Sequence, residues 1–341
     1  GYAGTGKTTL LGTLITNLWH SKKKAVLMAP TGRAAKVMST YTNSRAYTIH
    51  RQIYIPKKER SGGVRFTLAP NRHRNTIFIV DEASMIPDSP VSTAKGSERS
   101  LLDDLMQYVY SGFRCQLVLI GDTAQLPPVK LSLSPALQAT TLELNYDKTV
   151  IELELDEVVR QTRDSGILMN ATELREALSA DPVGSFRFSV DGFPDIVRLT
   201  DGYEIQDAIN RAFDEGGKEE TAVIVRSNKR ANLYNENIRS RLLFLENELA
   251  TGDYMMVVKN NYFWLKSTSE AGFIANGDII EILEIFAIKD LYGFRFAEVK
   301  VRMVDYPGQK PFETVLLLDT IKAESPALSY EDGNRLYQAV M

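Results

Sequence analysis

Cysteine occurs once in the 341 residues, as Cys115, and histidine only three times. A single thiol closes no internal disulfide and builds no cysteine-rich metal cluster, and three imidazoles leave little for a zinc centre. No apolar run approaches the ~20 residues that a membrane span needs, and no basic-then-apolar leader opens the chain. These absences predict a cytoplasmic protein in reducing surroundings, with no membrane partner. Acidic residues are nearly missing from the first 80 positions, where 14 Lys and Arg stand against Glu59 alone. The rest of the chain holds 26 bases and 42 acids, so the net charge of −3 hides a basic start of +13 and an acidic remainder of −16. Such asymmetry fits a region that meets an anion, and equally a basic solvated face on an acidic protein.

What is present is ordinary globular material. Hydrophobic residues make up 44% and charged residues 24%, values that exclude wholesale disorder. The length suits two or three domains, each able to bury a core. The first 150 residues alternate helix and strand: Thr8 to Leu18 is helical, and Ala25–Ala29, Ile77–Val80 and Gln116–Ile120 are short apolar runs of buried-strand type. Buried strands separated by helices predict an α/β fold with a parallel sheet covered on both faces. Ligands of such sheets bind at the carboxyl ends of the strands, where Asp81, Glu82, Gly121 and Asp122 fall. Between Arg51 and Asn75 the runs Gln52–Ile55 and Val64–Leu68 predict an inserted β-hairpin. Further on, Ala222–Val225 reads as a strand and Lys229 to Leu245 as a helix with Leu233, Ile238 and Leu242 on one face. Four short β runs between Thr251 and Thr320 suggest a small barrel or sandwich.

Three motifs carry chemistry. Residues 1–8, Gly1-Tyr2-Ala3-Gly4-Thr5-Gly6-Lys7-Thr8, fit G-x-x-x-x-G-K-[ST], in which backbone N–H groups wrap a phosphate, Lys7 adds a point charge and the Thr8 hydroxyl can ligate Mg2+. The second is Asp81-Glu82-Ala83-Ser84 at the end of an apolar run, where one carboxylate can hold Mg2+ and the next can orient or deprotonate water. The third, Gly121 to Val129, places Gln125, a neutral donor and acceptor suited to sensing a terminal phosphate, before the stiff Pro127-Pro128 pair.

Taken in order, GYAGTGKTT, APTGRAAK (Ala29–Lys36), TIHR (Thr48–Arg51), DEAS and GDTAQLPPV resemble the motifs of superfamily-one DNA helicases, most closely the RecD-like branch that moves 5′ to 3′. Glu157 to Gln161 resembles the next motif of that branch, and Gly252-Asp253, Lys259 to Tyr262 and Asn276 to Asp278 resemble the segment around its small inserted barrel. The resemblance implies a RecA-like P-loop domain over residues 1–149 with its hairpin at about 51–75. It implies part of a second RecA-like domain over 150–250, the barrel over 251–325 and a return to the second domain over 326–341.

It also implies an ATP-dependent translocase acting on single-stranded DNA and on single-strand/duplex junctions in repair or recombination, with nuclease subunits or other repair proteins as partners. ATP and Mg2+ would be held by Gly1, Tyr2, Ala3, Gly4, Thr5, Gly6, Lys7, Thr8 and Thr9, with Asp81 on the metal, Glu82 activating water, Gln125 coupling the γ-phosphate to motion and Arg160 as arginine finger. A salt bridge on a helix is the alternative reading of Arg160. Pro30, Thr31, Thr48 and His50 would lie along the strand, with a satisfied core histidine as the alternative reading of His50. Residues 45–75 carry a net +7, with Tyr54 and Phe66 interleaved, so Arg51 and these two rings are further candidates for phosphate and base contacts, against the reading of a merely solvated hairpin. The chain lacks the family's strand and glutamine before Gly1 and its closing motifs before Met341, so it reads as truncated at both ends and is expected to bind ATP and single strands without unwinding. Two other readings fit the same motifs: an RNA helicase of the superfamily, and a P-loop nucleic-acid-binding module that does not hydrolyse.

Overall fold

The computed structural model describes residues 5–58, 64–88, 100–155, 165–179, 186–259, 261, 264–265, 269, 271, 273–274, 276–321 and 328–340. The chain forms two compact units, residues 1–196 and 197–341.

The first unit is built on four parallel strands in the order β2-β1-β5-β6, namely Ala46–Thr48, Lys24–Ala29, Thr76–Val80 and Gln116–Leu119. Alternation along the strands sorts side chains to two faces. Leu27 and Ile79 point to one face, where they meet Leu11, Ile15 and Leu18 of helix α1 (Lys7–His20) and Met38 of α2 (Gly32–Thr42). Met28, Phe78 and Val80 point to the other and pack on Ile49 and Ile53 of α3 (Ile49–Ile53) and on Leu102, Leu105 and Val109 of α4 (Leu101–Tyr110). The spacing Leu11, Ile15, Leu18 is the i, i+4, i+7 stripe of a helix with one buried face. A capping box starts α4: Ser100 Oγ accepts from Asp103 N–H while Asp103 accepts from Ser100 N–H. Cys115 is buried in the second core, as befits a small hydrophobe. Helices α5 (Ala139–Tyr146) and α6 (Gly166–Ser179) follow the sheet.

The expected hairpin is present as β3 (Tyr54–Lys58) paired antiparallel with β4 (Val64–Leu68), and its tip, residues 59–63, lies outside the described residues. Its first strand starts two residues later than the pattern predicted. Thr48 accepts the Arg51 N–H and nucleates α3, which takes up Gln52 and Ile53.

In the second unit, α7 (Gly202–Glu220, broken at Gly217) and α8 (Asn228–Asn237) precede four antiparallel strands in the order β10-β9-β8-β7. These are Phe312–Leu317, Phe294–Met303, Ile279–Leu291 and Tyr254–Met256, with register shifts in β8 after Ile282 and Ile285 that curl the sheet. Ile282, Val299, Val301 and Met303 are fully buried at its centre. A final helix, α9, spans Tyr330–Val340. Two expectations fail here. Ala222–Val225 is in no strand, and Ile224 is 95% exposed, because an apolar run becomes a strand only where a neighbour completes its ladder. The helix predicted to Leu245 changes to a π turn at Ile238–Leu242, and Leu233 is half-exposed.

Phe78 is fully buried, with His73 and Tyr108 edge-on to its ring at 5.3 and 5.8 Å. Phe78→Ala should lower the stability of the first unit by ~3–5 kcal/mol. Denaturant-dependent hydrogen exchange at the β1, β5 and β6 amides measures this, and a loss below about 1 kcal/mol would show that the site collapses around the cavity.

Candidate functional site

The turn before α1 ends at Gly6, whose backbone is left-handed (φ 83°), a conformation glycine adopts without steric cost. Gly6 caps the helix, and Leu10 N–H closes its first turn on the Gly6 carbonyl at 2.9 Å. Lys7, Thr8 and Thr9 follow on that turn, Thr8 and Thr9 exposed. A glycine turn feeding a helix N-terminus presents N–H groups to an anion. Lys7 Nζ lies 3.3 Å from Asp122 Oδ2, whose side chain is only 3% exposed.

Asp122 and the Asp81-Glu82 pair are brought there by the ladder. Asp81 N–H bonds to Met28 O at 3.0 Å, Ile120 N–H to Val80 O at 2.8 Å and Ala83 N–H to Ile120 O at 2.8 Å, so both carboxylate-bearing ends emerge side by side. Gly121 makes the approach possible: a Cβ there would fall 2.8 Å from Leu137 Cδ1 and 3.0 Å from Ser84 N. Glu82 sits in the left-handed region (φ 54°, ψ 37°), a conformation that costs a non-glycine residue ~1–3 kcal/mol unless its surroundings fix it. They do. Asp81 Oδ1 accepts the Glu82 N–H at 2.9 Å, and the buried Ser134 Oγ lies 2.9 and 2.8 Å from the carbonyls of Ala83 and Ile86, donating to either. Tyr41 Oη donates to Asp81 Oδ2 at 2.5 Å.

The charges at this edge are crowded. Burial, then the neighbouring Asp81, pushes the Glu82 carboxyl above its ordinary range; Lys7 opposes and Asp122 reinforces the shift. Burial and the bond to Asp81 push the Tyr41 phenol well above its usual value, so it remains a donor. Carboxylate and hydroxyl oxygens are the donors a hard divalent cation takes, and a cation would relieve the carboxylate crowding. Among the described residues no group of three or more His, Cys, Asp or Glu is placed to hold a metal.

The residues predicted along a strand divide. Ala29 and Thr48 are register partners on adjacent parallel strands, so Pro30 and Thr31 after β1 share one sheet edge with Thr48 at the end of β2 and with His50 and Arg51 beyond it. Thr31 and Thr48 cap α2 and α3, accepting the N–H of Ala34 and Arg51, each at 3.2 Å. Arg51 and Arg45 lie 5.4 and 5.2 Å from the Tyr47 ring, a cation–π pair at the sheet edge. Burial lowers the His50 pKa and keeps the ring neutral, although Asp104 pulls the other way. Tyr54 departs from expectation: it is 7% exposed, its hydroxyl donates to the buried Asp104 at 2.7 Å, and its ring packs beside His50 in the core. A buried ring offers no face to a base, so Tyr54 is structural.

Gln125 stands exposed in the loop after β6, where Asp122 O accepts its N–H at 3.3 Å. Gly1, Tyr2, Ala3, Gly4 and Arg160 lie outside the described residues, as does the side chain of Phe66. One site residue escapes the sequence reading, whereas Asp122 was already placed there at the end of an apolar run. That residue is Tyr41, which had no signal because only the packing of α2 brings it to Asp81.

A family model described as an AAA domain matches residues 1–184. The chain is 27% identical over 293 residues to the ATP-dependent DNA helicase dda of Enterobacteria phage T4, covering 83% of this chain and 62% of that protein. It is 34% identical over 134 residues to the ATP-dependent RecD2 DNA helicase of Deinococcus radiodurans, covering 39% of this chain and 16% of that protein. The chain thus spans less than two thirds of the length of either relative. Solved structures it resembles include the Pif1 helicase from Candida albicans, at 20% identity and a TM-score of 0.37 over 93% of this chain and 74% of that one. Bacteroides sp Pif1 in complex with ADP-AlF4 is similar at 17% identity and a TM-score of 0.36, over 92% and 68% of the two chains. The matches to dda and RecD2 agree with the superfamily-one, RecD-like resemblance carried by the motifs. By its first 184 residues, more than half its length, the chain belongs to the AAA domain family.

Proposed function

We propose that this protein is an ATP-dependent motor on single-stranded DNA, with the nucleotide held at the α1 N-terminus and the nucleic acid along the neighbouring sheet edge. The observation that carries the reading is the meeting of Lys7, Asp81, Glu82 and Asp122 where the P-loop helix starts and β5 and β6 end. In this reading Lys7 and the N–H groups of Thr5 to Thr9 bind the β- and γ-phosphates. Thr8 and Asp81 would hold Mg2+, which would neutralise charge on the phosphates. The Glu82 carboxylate takes the proton from the attacking water, and its raised pKa brings it closer to the operating pH, where general bases work best. Gln125, on the loop fixed to Asp122, reports the terminal phosphate, and Arg160 completes the charge on it as arginine finger. Pro30, Thr31, His50, Arg51 and Phe66 contact the strand, and Thr48, only 6% exposed, shapes that edge as the cap of α3. Translocation from 5′ to 3′, junction opening, a role in repair or recombination and nuclease partners belong to the same proposal and rest on likeness to the helicases. No helix among the described residues is long and apolar enough to cross a membrane.

ATP hydrolysis stimulated by single-stranded DNA, measured in the purified chain, tests the reading. Lys7→Ala should remove nucleotide binding, whereas Glu82→Gln should keep it and lose hydrolysis by ~10²–10⁴-fold. Full hydrolysis by Glu82→Gln would remove Glu82 from the mechanism. Nucleotide binding without hydrolysis in the wild type would favour the P-loop binding module instead.

Strand binding should weaken with salt, with a log–log slope near −0.7 for each phosphate neutralised. A flat response would separate the basic residues at this edge from nucleic acid.

The shift on Glu82 also sets a stability effect with a definite sign. An acid whose folded pKa is raised binds its proton more tightly when folded, so stability falls as pH rises from 4.5 through the raised value and stays lower above it. Glu82→Gln should therefore melt higher than the wild type at neutral pH, and the difference should close below pH 4.5. Equal melting temperatures at both pH values would mean that Glu82 is not desolvated.

A further inference from the structure

The geometry points to Tyr41 as a positioning residue for Asp81: its hydroxyl fixes the carboxylate that holds the nucleotide's divalent cation. This rests on the proposed nucleotide site and assigns a part of it that the motifs do not contain.

Asp81 has two oxygens, and each is engaged on one side. Oδ1 accepts the Glu82 N–H at 2.9 Å, and Oδ2 accepts the Tyr41 O–H at 2.5 Å. A carboxylate has about four lone-pair sites, so two such bonds lock its rotation and leave a lone pair on each oxygen for a cation. The bond is charge-assisted and short, the class of hydrogen bond that fixes geometry most strongly. Tyr41 is itself held. It lies in the last turn of α2, half-buried, and its ring packs on the core formed by Leu11, Ile15, Met38 and Ile79. The phenol therefore comes from a fixed helix and is not a mobile side chain.

The second observation concerns what Tyr41 faces. It lines a cavity of about 690 Å³ together with Thr8, Thr9, Gly12 and Thr13 on α1. Thr8 carries the hydroxyl predicted to ligate Mg2+. Tyr41 thus borders the cavity shared with one proposed metal ligand while bonding the other. Asp81 also stands beside Glu82, and the two carboxylates repel each other. Without a donor on Oδ2, the carboxylate is free to turn from the metal position toward solvent or Lys7. The Tyr41 hydroxyl opposes that rotation. Residues that orient a metal-binding carboxylate commonly set metal affinity by ~10–100-fold.

Tyr41→Phe removes the hydroxyl and keeps the packed ring. The test is equilibrium binding of a fluorescent, non-hydrolysable ATP analogue by wild type and Tyr41→Phe, titrated with Mg2+ and repeated with the metal chelated. Circular dichroism and thermal melting of the variant report whether it is folded. The expected result is a requirement for Mg2+ raised about ten-fold in Tyr41→Phe, with affinity for the metal-free analogue unchanged. A merely structural role would weaken both. An unchanged Mg2+ requirement, a lowered one (Tyr41 competing with the metal for Oδ2) or an equal loss with and without metal would each overturn the assignment. Absence of analogue binding by the wild type at every Mg2+ concentration would overturn the nucleotide site itself, and Tyr41 with it. Should the variant melt far below the wild type, Tyr41→Trp, which returns an N–H donor on a ring, should recover part of the Mg2+ affinity. No recovery would also overturn the assignment.

Discussion

Parallel pairing of β1, β5 and β6 makes three carboxylates share one edge of the sheet with the Lys7 ammonium, and the first unit is arranged around that crowding. Register leaves no choice: Met28, Val80 and Leu119 are partners, so the next residues of β5 and β6 must turn out together. Burial first, and then the like charges beside it, disfavour the ionised form of Glu82, whose pKa is raised. The surrounding structure is arranged to tolerate the arrangement. Lys7 bridges to the buried Asp122, Tyr41 and a backbone N–H hold Asp81, and Ser134 pins the turn that keeps Glu82 left-handed. A cation or a proton near these carboxylates would lower their mutual repulsion. Both are what phosphoryl transfer to water uses.

In the proposed reading the same sheet edge also meets the nucleic-acid strand. Thr31 and Thr48 spend an acceptor lone pair on helix caps, and each hydroxyl retains its proton as a donor. Helix α2, capped by Thr31, also carries Tyr41 in its last turn, bonded to Asp81. At a rise of 1.5 Å per residue Thr31 and Tyr41 lie about 15 Å apart on one rigid element. In the proposed reading, strand path and metal carboxylate are joined through that helix.

How much of this was legible in the sequence depended on how local the cause was. The buried strands Ala25–Ala29, Ile77–Val80 and Gln116–Ile120 were readable because both faces of each are covered, which leaves continuous apolar runs. Lys7, Asp81 and Glu82 were readable because phosphate and metal chemistry needs fixed residue types at fixed spacing. Tyr54 looked like a stacking ring beside basic residues, but its partner Asp104 comes from α4, fifty positions away, and no local pattern announces that bond. Ala222–Val225 has a strand's composition and no ladder partner among the described residues, which composition cannot reveal. Tyr41 was silent for the same reason: its meaning lies in the packing of α2 against α1.

The central claim is that the edge formed by Lys7, Asp81, Glu82 and Asp122 is a site for a nucleotide and its divalent cation. Thermal stabilisation of the chain by a non-hydrolysable ATP analogue with Mg2+ tests it most directly, because ligand at 100 times its dissociation constant should add ~2.7 kcal/mol to the folded state. The account predicts such stabilisation in the wild type and most of it lost in Asp81→Asn, which keeps shape and removes charge. Equal stabilisation of the two proteins, or none in the wild type, would contradict it.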